Sequence, residues 1–197
     1  MQEDREYWNQ SQYGRSPQPM YESYFIRGNH PEKNQAFWIR YTLLHPVSGP
    51  PVGELWIALF SGDKTWAARQ AFPLETCSFS ASGLQVRVGD AELRDGKATG
   101  ALRTQEREFH WDLSWETPES PLLLLEKKLY DGSFPKAKSV VPAPMTRFRG
   151  GISVAGEQWH IEDWVGSQNH NWGSRHTDAY AWGQVMGFEE DHTACLE

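Results

Sequence analysis

Apolar and polar residues alternate with a period of two through much of this chain. Phe37, Ile39, Tyr41 and Leu43 alternate with Trp38, Arg40 and Thr42, as they do in a strand that buries one face. The run His45-Pro46-Val47-Ser48-Gly49-Pro50-Pro51 cannot continue such a strand and turns the chain. Residues 54–60 then return with Leu55, Ile57 and Leu59 on one face, so the pattern predicts an antiparallel hairpin with 37–44. Further strands are expected at 66–72, 84–88 and 91–93, with a tight turn at Asp95-Gly96. In 107–115, Phe109, Trp111, Leu113 and Trp115 face one way, and Glu108, His110, Asp112 and Ser114 face the other. No stretch sustains a helical period with caps, and closely spaced short strands suggest an antiparallel barrel or sandwich.

The ends of the chain read differently. Residues 1–19 are rich in Gln, Glu, Ser and Pro and suit a mobile tail or a strap. A soft boundary falls at 131–144, dividing a first β lobe (20–144) from the opening of a second (145–197). That second part should hold a hairpin of 147–154 and 157–165 turned at Ala155-Gly156, a polar loop over 166–177 and a strand over 180–188. A last strand begins at Thr193, leaving the 180–188 edge poorly covered. The missing remainder of a lobe or a second copy of the chain would cover it.

Composition narrows the possible functions. Ten Trp, nine Phe and seven Tyr suit strands and the lining of an apolar pocket. The formal charge is −7 and no Lys/Arg stripe exists, so nucleic-acid binding lacks its electrostatic footprint. The longest apolar run, residues 122–125, is far too short to span a bilayer. The acidic, polar start does not resemble a secretory signal. Cys77 and Cys195 have no CxxC spacing, and a reduced cytoplasm is the expected location.

The densest chemistry lies in Asp163-Trp164-Val165-Gly166-Ser167-Gln168-Asn169-His170-Asn171-Trp172-Gly173-Ser174-Arg175-His176. Loops carrying this many specific side chains usually serve a site, although Asn, Gln and His also tie down tight turns. His170 and His176 lack the context of a zinc motif, so no metal is expected. No nucleophile elbow or phosphate loop is present, and no cofactor is expected.

The run Gly166 to Gly173, followed by Tyr180-Ala181-Trp182-Gly183-Gln184, resembles the signature of the hydroxyneurosporene synthase (carotenoid 1,2-hydratase)-like group. Tocopherol cyclase-like proteins share a similar run. Tyr21-Glu22-Ser23-Tyr24-Phe25 and Phe37-Trp38-Ile39-Arg40-Tyr41-Thr42 fit the opening strands of the same group. The resemblance implies an all-β, lipocalin-like fold of two antiparallel lobes, with an apolar, isoprenoid-like or lipid-like molecule between or within them. It spans carotenoid hydration, chromanol ring closure and ring-forming cycloaddition, and fold alone does not choose among these.

Protonating an alkene requires an acid kept neutral by burial, and aromatic faces to shield the cation. Asp163 and His170 are therefore the candidate catalytic residues. Asn169, Asn171, Trp172, Trp182, Gln184 and Trp164 are the candidate ligand-binding residues. A buried acid facing a Trp-lined cavity would favour an enzyme. A similar cavity without one would favour a carrier, and no cavity would favour a structural lobe.

Overall fold

The computed structural model describes residues 2–196 except 17–18, 117–119, 177, 180, 187, 189, 192 and 193, with side chains from residue 5 onward. A short helix, α1 (Gln2–Trp8), precedes the strands β1 (Met20–Asn29), β2 (Gln35–His45), β3 (Val52–Ser61) and β4 (Lys64–Pro73). Next come β5 (Cys77–Phe79), β6 (Gln85–Val88), β7 (Ala91–Arg94), β8 (Lys97–Arg103) and β9 (Glu108–Glu116). The two-residue β10 (Leu122–Leu123) and one-turn α2 (Lys128–Asp131) lead into the two longest strands, β11 (Ala137–Val154) and β12 (Glu157–Gly173). The short pair β13 (Val185–Met186) and β14 (Cys195–Leu196) forms a separate sheet. The chain is all-β: a nearly closed antiparallel barrel. No helix among the described residues is long and apolar enough to cross a membrane.

The sheet runs in the order β4-β3-β2-β1-β12-β11-β9-β8-β7-β6-β5. The β2–β3 hairpin has the expected pairing, with Phe37 opposite Leu59 and Leu43 opposite Gly53. The ends of this path curl together through side-chain contact. Two glycines permit the approach: a methyl group at Gly53 would strike Cys77 Sγ, and one at Gly89 would strike the Phe72 ring.

The barrel interior is filled. Phe37, Ile39 and Tyr41 from β2 meet Leu55, Ile57 and Leu59 from β3. Phe109, Trp111, Leu113 and Trp115 of β9 point into the same core, which is the period-two expectation for that strand. Trp111 Nε1 donates to Tyr41 Oη at 3.2 Å, and that hydroxyl donates in turn to the Glu92 carbonyl at 3.1 Å, so both polar atoms are satisfied.

Four expectations are corrected. The boundary at 131–144 coincides with α2 and the start of β11, which continues past residue 144 without interruption. The hairpin turned at Ala155 and Gly156 belongs to the first sheet, because β12 hydrogen-bonds to β1 on one side and β11 on the other. The loop expected over 166–177 is a strand as far as Gly173. Its glycines mark close approach of backbones: a side chain at Gly166 would strike the Arg27 carbonyl, and one at Gly173 the Lys136 carbonyl. Of the 180–188 strand only Val185 and Met186 are extended, and residues 180 and 187 lie outside the described set. Thr193 also lies outside it.

Candidate functional site

Strand alternation sends the polar residues of β12 in two directions. Glu22, Tyr24 and Ile26 of β1 point into the barrel, opposite Trp172, His170 and Gln168. Tyr21, Ser23, Phe25 and Arg27 point outward, opposite Gly173, Asn171, Asn169 and Ser167. Both faces of β1 are covered along most of its length. Two distinct polar regions result.

The inner region closes one end of the barrel. His170 and Glu22 are fully buried, at 0% exposure. His170 Nδ1 lies 2.7 Å from the Trp8 carbonyl and Nε2 lies 2.9 Å from Glu22 Oε1. A carbonyl only accepts, so Nδ1 donates to Trp8. Glu22 Oε1 also accepts from the Gln12 backbone N–H (2.7 Å) and the Tyr24 hydroxyl (3.0 Å), and Oε2 from the Ser11 hydroxyl (2.7 Å).

Burial raises the Glu22 pKa, but the hydrogen bond and charge of His170 and the donors at Ser11 and Gln12 outweigh it. The net shift is downward from 4.5, which fits a carboxylate receiving every donor around it. Burial, and next the Glu22 charge, push the Tyr24 phenol well above its usual range, so that phenol keeps its proton and donates.

The His170 ring stacks on Tyr24 with centroids 4.1 Å apart and planes 9° apart. Asn9 and Gln168 exchange two amide hydrogen bonds at 3.2 and 3.0 Å. Together these contacts bind residues 8–12 across the barrel end, so the N-terminal segment takes the form of a strap. Trp172 packs beside it with Trp8, Tyr130 and Val140.

The outer region is a pocket of about 500 Å³ over β1, β2, β11 and β12. Its apolar walls are Tyr21, Phe25, Trp38, Leu124, Leu125 and Trp182, and Arg40, His176, Ser139 and Asn171 supply polar groups. Tyr130 seats the leucine rim. Its hydroxyl accepts from the backbone N–H groups of Leu124 (3.0 Å) and Leu125 (3.2 Å) and donates to the Ser139 carbonyl (2.8 Å).

On the opposite side, the Tyr21 ring stacks on His176 at 3.7 Å, and the Arg27 guanidinium lies 5.7 Å from the Trp182 ring centroid. Gln184 Nε2 donates to Ser167 Oγ at 3.1 Å, and its carbonyl accepts from Arg27 Nε. These contacts bring the segment after β12 back over the sheet. Burial, and next the Arg40 charge, lower the His176 pKa from its usual value near 6.5.

The sequence-derived candidates are dispersed. Asn171 and Trp182 line the pocket. Asn171 accepts from the Ser139 hydroxyl at 2.6 Å. Gln184 flanks the pocket, and so does Asn169, whose Oδ1 accepts from Ser167 at 2.7 Å. His170 and Trp172 lie on the inner face. Trp164 sits in the core, its ring 6.0 Å from Phe37 and 5.9 Å from Trp159.

Asp163 is not buried. It occupies a bulge at φ 53°, its side chain is 52% exposed, and Arg149 Nη2 pairs with it at 2.8 Å. It lies seven residues from His170 along one strand, about 23 Å at the usual rise, so the two cannot act on one group. His170 and His176 face opposite sides of the sheet.

Tyr21, Phe25, Trp38, Arg40 and His176 were not assigned to the site from sequence. Their signal was present in β2, where Trp38 and Arg40 occupy the face expected to meet solvent. Glu22 was missed as well, because its partner His170 stands 148 residues away.

No protein-family model matches this chain, and no curated protein sequence matches it. Among solved structures it is similar to a Nitrosomonas europaea protein provisionally named AttH, at 15% identity and a TM-score of 0.56. That match covers 84% of this chain and 55% of the other. The structure of CghA with Sch210972 matches at 11% identity and a TM-score of 0.45, over 79% of this chain and 46% of that one. This chain therefore spans about half the length of the solved proteins it resembles. The likeness to the Nitrosomonas protein shows the fold, a lipocalin-like barrel.

Proposed function

We propose that this protein binds a small molecule with an apolar, isoprenoid-like body in the outer pocket. One observation carries the reading: a cavity of about 500 Å³ walled by Tyr21, Phe25, Trp38 and Trp182. That volume lies within the range of small-molecule sites, which are mostly apolar with a few placed polar groups. The barrel interior is packed with side chains, so the ligand sits on the sheet's outer face rather than inside it.

Binding is favoured over acid-type hydration or cyclisation. Among the described residues, those lining the pocket include no carboxyl group. Asp163 is paired with Arg149 elsewhere, and both ring nitrogens of His170 are committed.

Farnesol is a suitable probe. At about 0.3 kcal/mol per heavy atom it gains roughly 5 kcal/mol, a Kd on the order of 0.3 mM or tighter. A titration should quench tryptophan fluorescence saturably, through Trp38 and Trp182. A change that stays linear with added ligand, with no saturation, would refute the reading.

A further inference from the structure

Resting on that binding reading, we propose that the ligand is an alcohol, its hydroxyl received by Asn171 and Ser139 on the pocket wall. Strand register sets the place. Ser139 of β11 pairs with Asn171 of β12, Asn171 with Ser23 of β1, and Ser23 with Thr42 of β2. All four side chains point to the outer face, so one row of small, uncharged polar groups crosses the sheet. On β1 this row is flanked by Tyr21 and Phe25, which line the pocket together with the half-buried Ser139 and Asn171.

Hydrogen-bonding capacity in the row is unspent. Ser139 Oγ gives its proton to Asn171 Oδ1 at 2.6 Å. A serine hydroxyl has one proton and two lone pairs, and a carboxamide has two N–H donors. That bond therefore leaves the Asn171 amide as a donor and the Ser139 oxygen as an acceptor, side by side on the wall. Ser23 and Thr42 are 0% and 5% exposed, and their hydroxyl oxygens have no hydrogen-bond partner among the described residues. Buried polar groups are ordinarily paired, so an unpaired couple beside a cavity marks a row that a ligand oxygen would complete. A hydroxyl head matches the wall pair, since it accepts from the amide and donates to the serine oxygen. A carbonyl head uses only the amide, and a hydrocarbon end uses neither. The pocket's cations stand off this row. Arg40 is level with Phe25, His176 stacks on Tyr21, and Lys138 Nζ donates to the carbonyls of Gly132 (2.7 Å) and Pro135 (2.9 Å).

Farnesol, farnesal and farnesene share one apolar body and differ at the head, so their relative affinities for the full chain isolate the inference. Farnesol should bind about fivefold tighter than farnesal, and farnesal about fivefold tighter than farnesene, one neutral hydrogen bond at each step. Asn171→Leu should bring farnesol close to farnesene, whereas Arg149→Gln, on the remote Asp163 bulge, should leave the series unchanged. If Asn171→Leu does not fold, Asn171→Asp keeps the shape, removes the N–H donors, and should abolish the advantage of farnesal over farnesene. Equal affinities for the three probes in the wild-type protein would overturn the hydroxyl head and leave the binding reading standing. A farnesal affinity equal to that of farnesol, or a ranking that survives substitution at Asn171, would also overturn it. Failure of all three probes to bind would overturn the two together.

Discussion

The two polar regions built from β12 differ in one respect that separates structure from function. At the inner barrel end, His170, Glu22, Tyr24, Ser11 and Gln12 are joined by hydrogen bonds that converge on the Glu22 carboxylate. On the outer face, Asn171, Arg40 and His176 surround about 500 Å³ of open volume. A satisfied, fully buried network fixes a fold, whereas polar groups around unfilled apolar volume can take a ligand. Two residues from adjacent positions on one strand, His170 and Asn171, thus fall in different regions because β alternation points them to opposite faces.

The largest expected effect is on the inner network. His170→Ala leaves the buried Glu22 carboxylate and the Trp8 carbonyl without their imidazole partner, and each buried polar group left unsatisfied costs about 1–3 kcal/mol. Urea unfolding should register that loss. A variant of unchanged midpoint would show that the strap is not held by this pair.

Next in size is acid sensitivity. The folded pKa of Glu22 is depressed below 4.5, so its contribution is fully present above pH 4.5 and is lost as pH falls from there through the folded value. The slope is at most about 1.4 kcal/mol per pH unit for one group. The stability gap between the wild-type protein and Glu22→Gln should therefore narrow below pH 4.5 and stay constant above it. A gap independent of pH through that range would contradict the assignment.

Smaller effects belong to the outer face. Trp182 is 53% exposed yet lines the pocket, so Trp182→Ala should weaken farnesol binding by about 1 kcal/mol, roughly fivefold. Its thermal midpoint should barely move. The smallest effect is expected at the β12 bulge: Asp163→Asn keeps a residue that tolerates positive φ and removes only an exposed ion pair. Stability should stay within about 0.5 kcal/mol and binding should be unaltered. A loss of binding there would restore Asp163 to the site.

The strands were legible in the sequence wherever one face is apolar and the other polar. Phe37 to Leu43 and Phe109 to Trp115 show that alternation plainly, and the turn at Ala155 and Gly156 could be placed to the residue. β12 was not legible beyond residue 165, because both of its faces carry polar side chains and its glycines serve close backbone approach rather than a turn. Of the eight residues named from sequence, Asn171 and Trp182 line the pocket. Phe25, Trp38 and Arg40 lie on β1 and β2 and join the pocket only because β12 pairs with β1 and the segment after it folds over them. The strap was open between two forms because its anchor, the contact of Trp8 with His170, spans 162 positions.

The ten tryptophans offer the most direct test of which region is the site. Indole N–H resonances, assigned through single Trp→Phe variants, would be followed in a nitrogen–proton NMR titration with farnesol. The outer-pocket account predicts saturable shifts for Trp38 and Trp182, with Trp8 and Trp172 unmoved. Shifts confined to Trp8 and Trp172 would put the ligand at the strapped barrel end and contradict it.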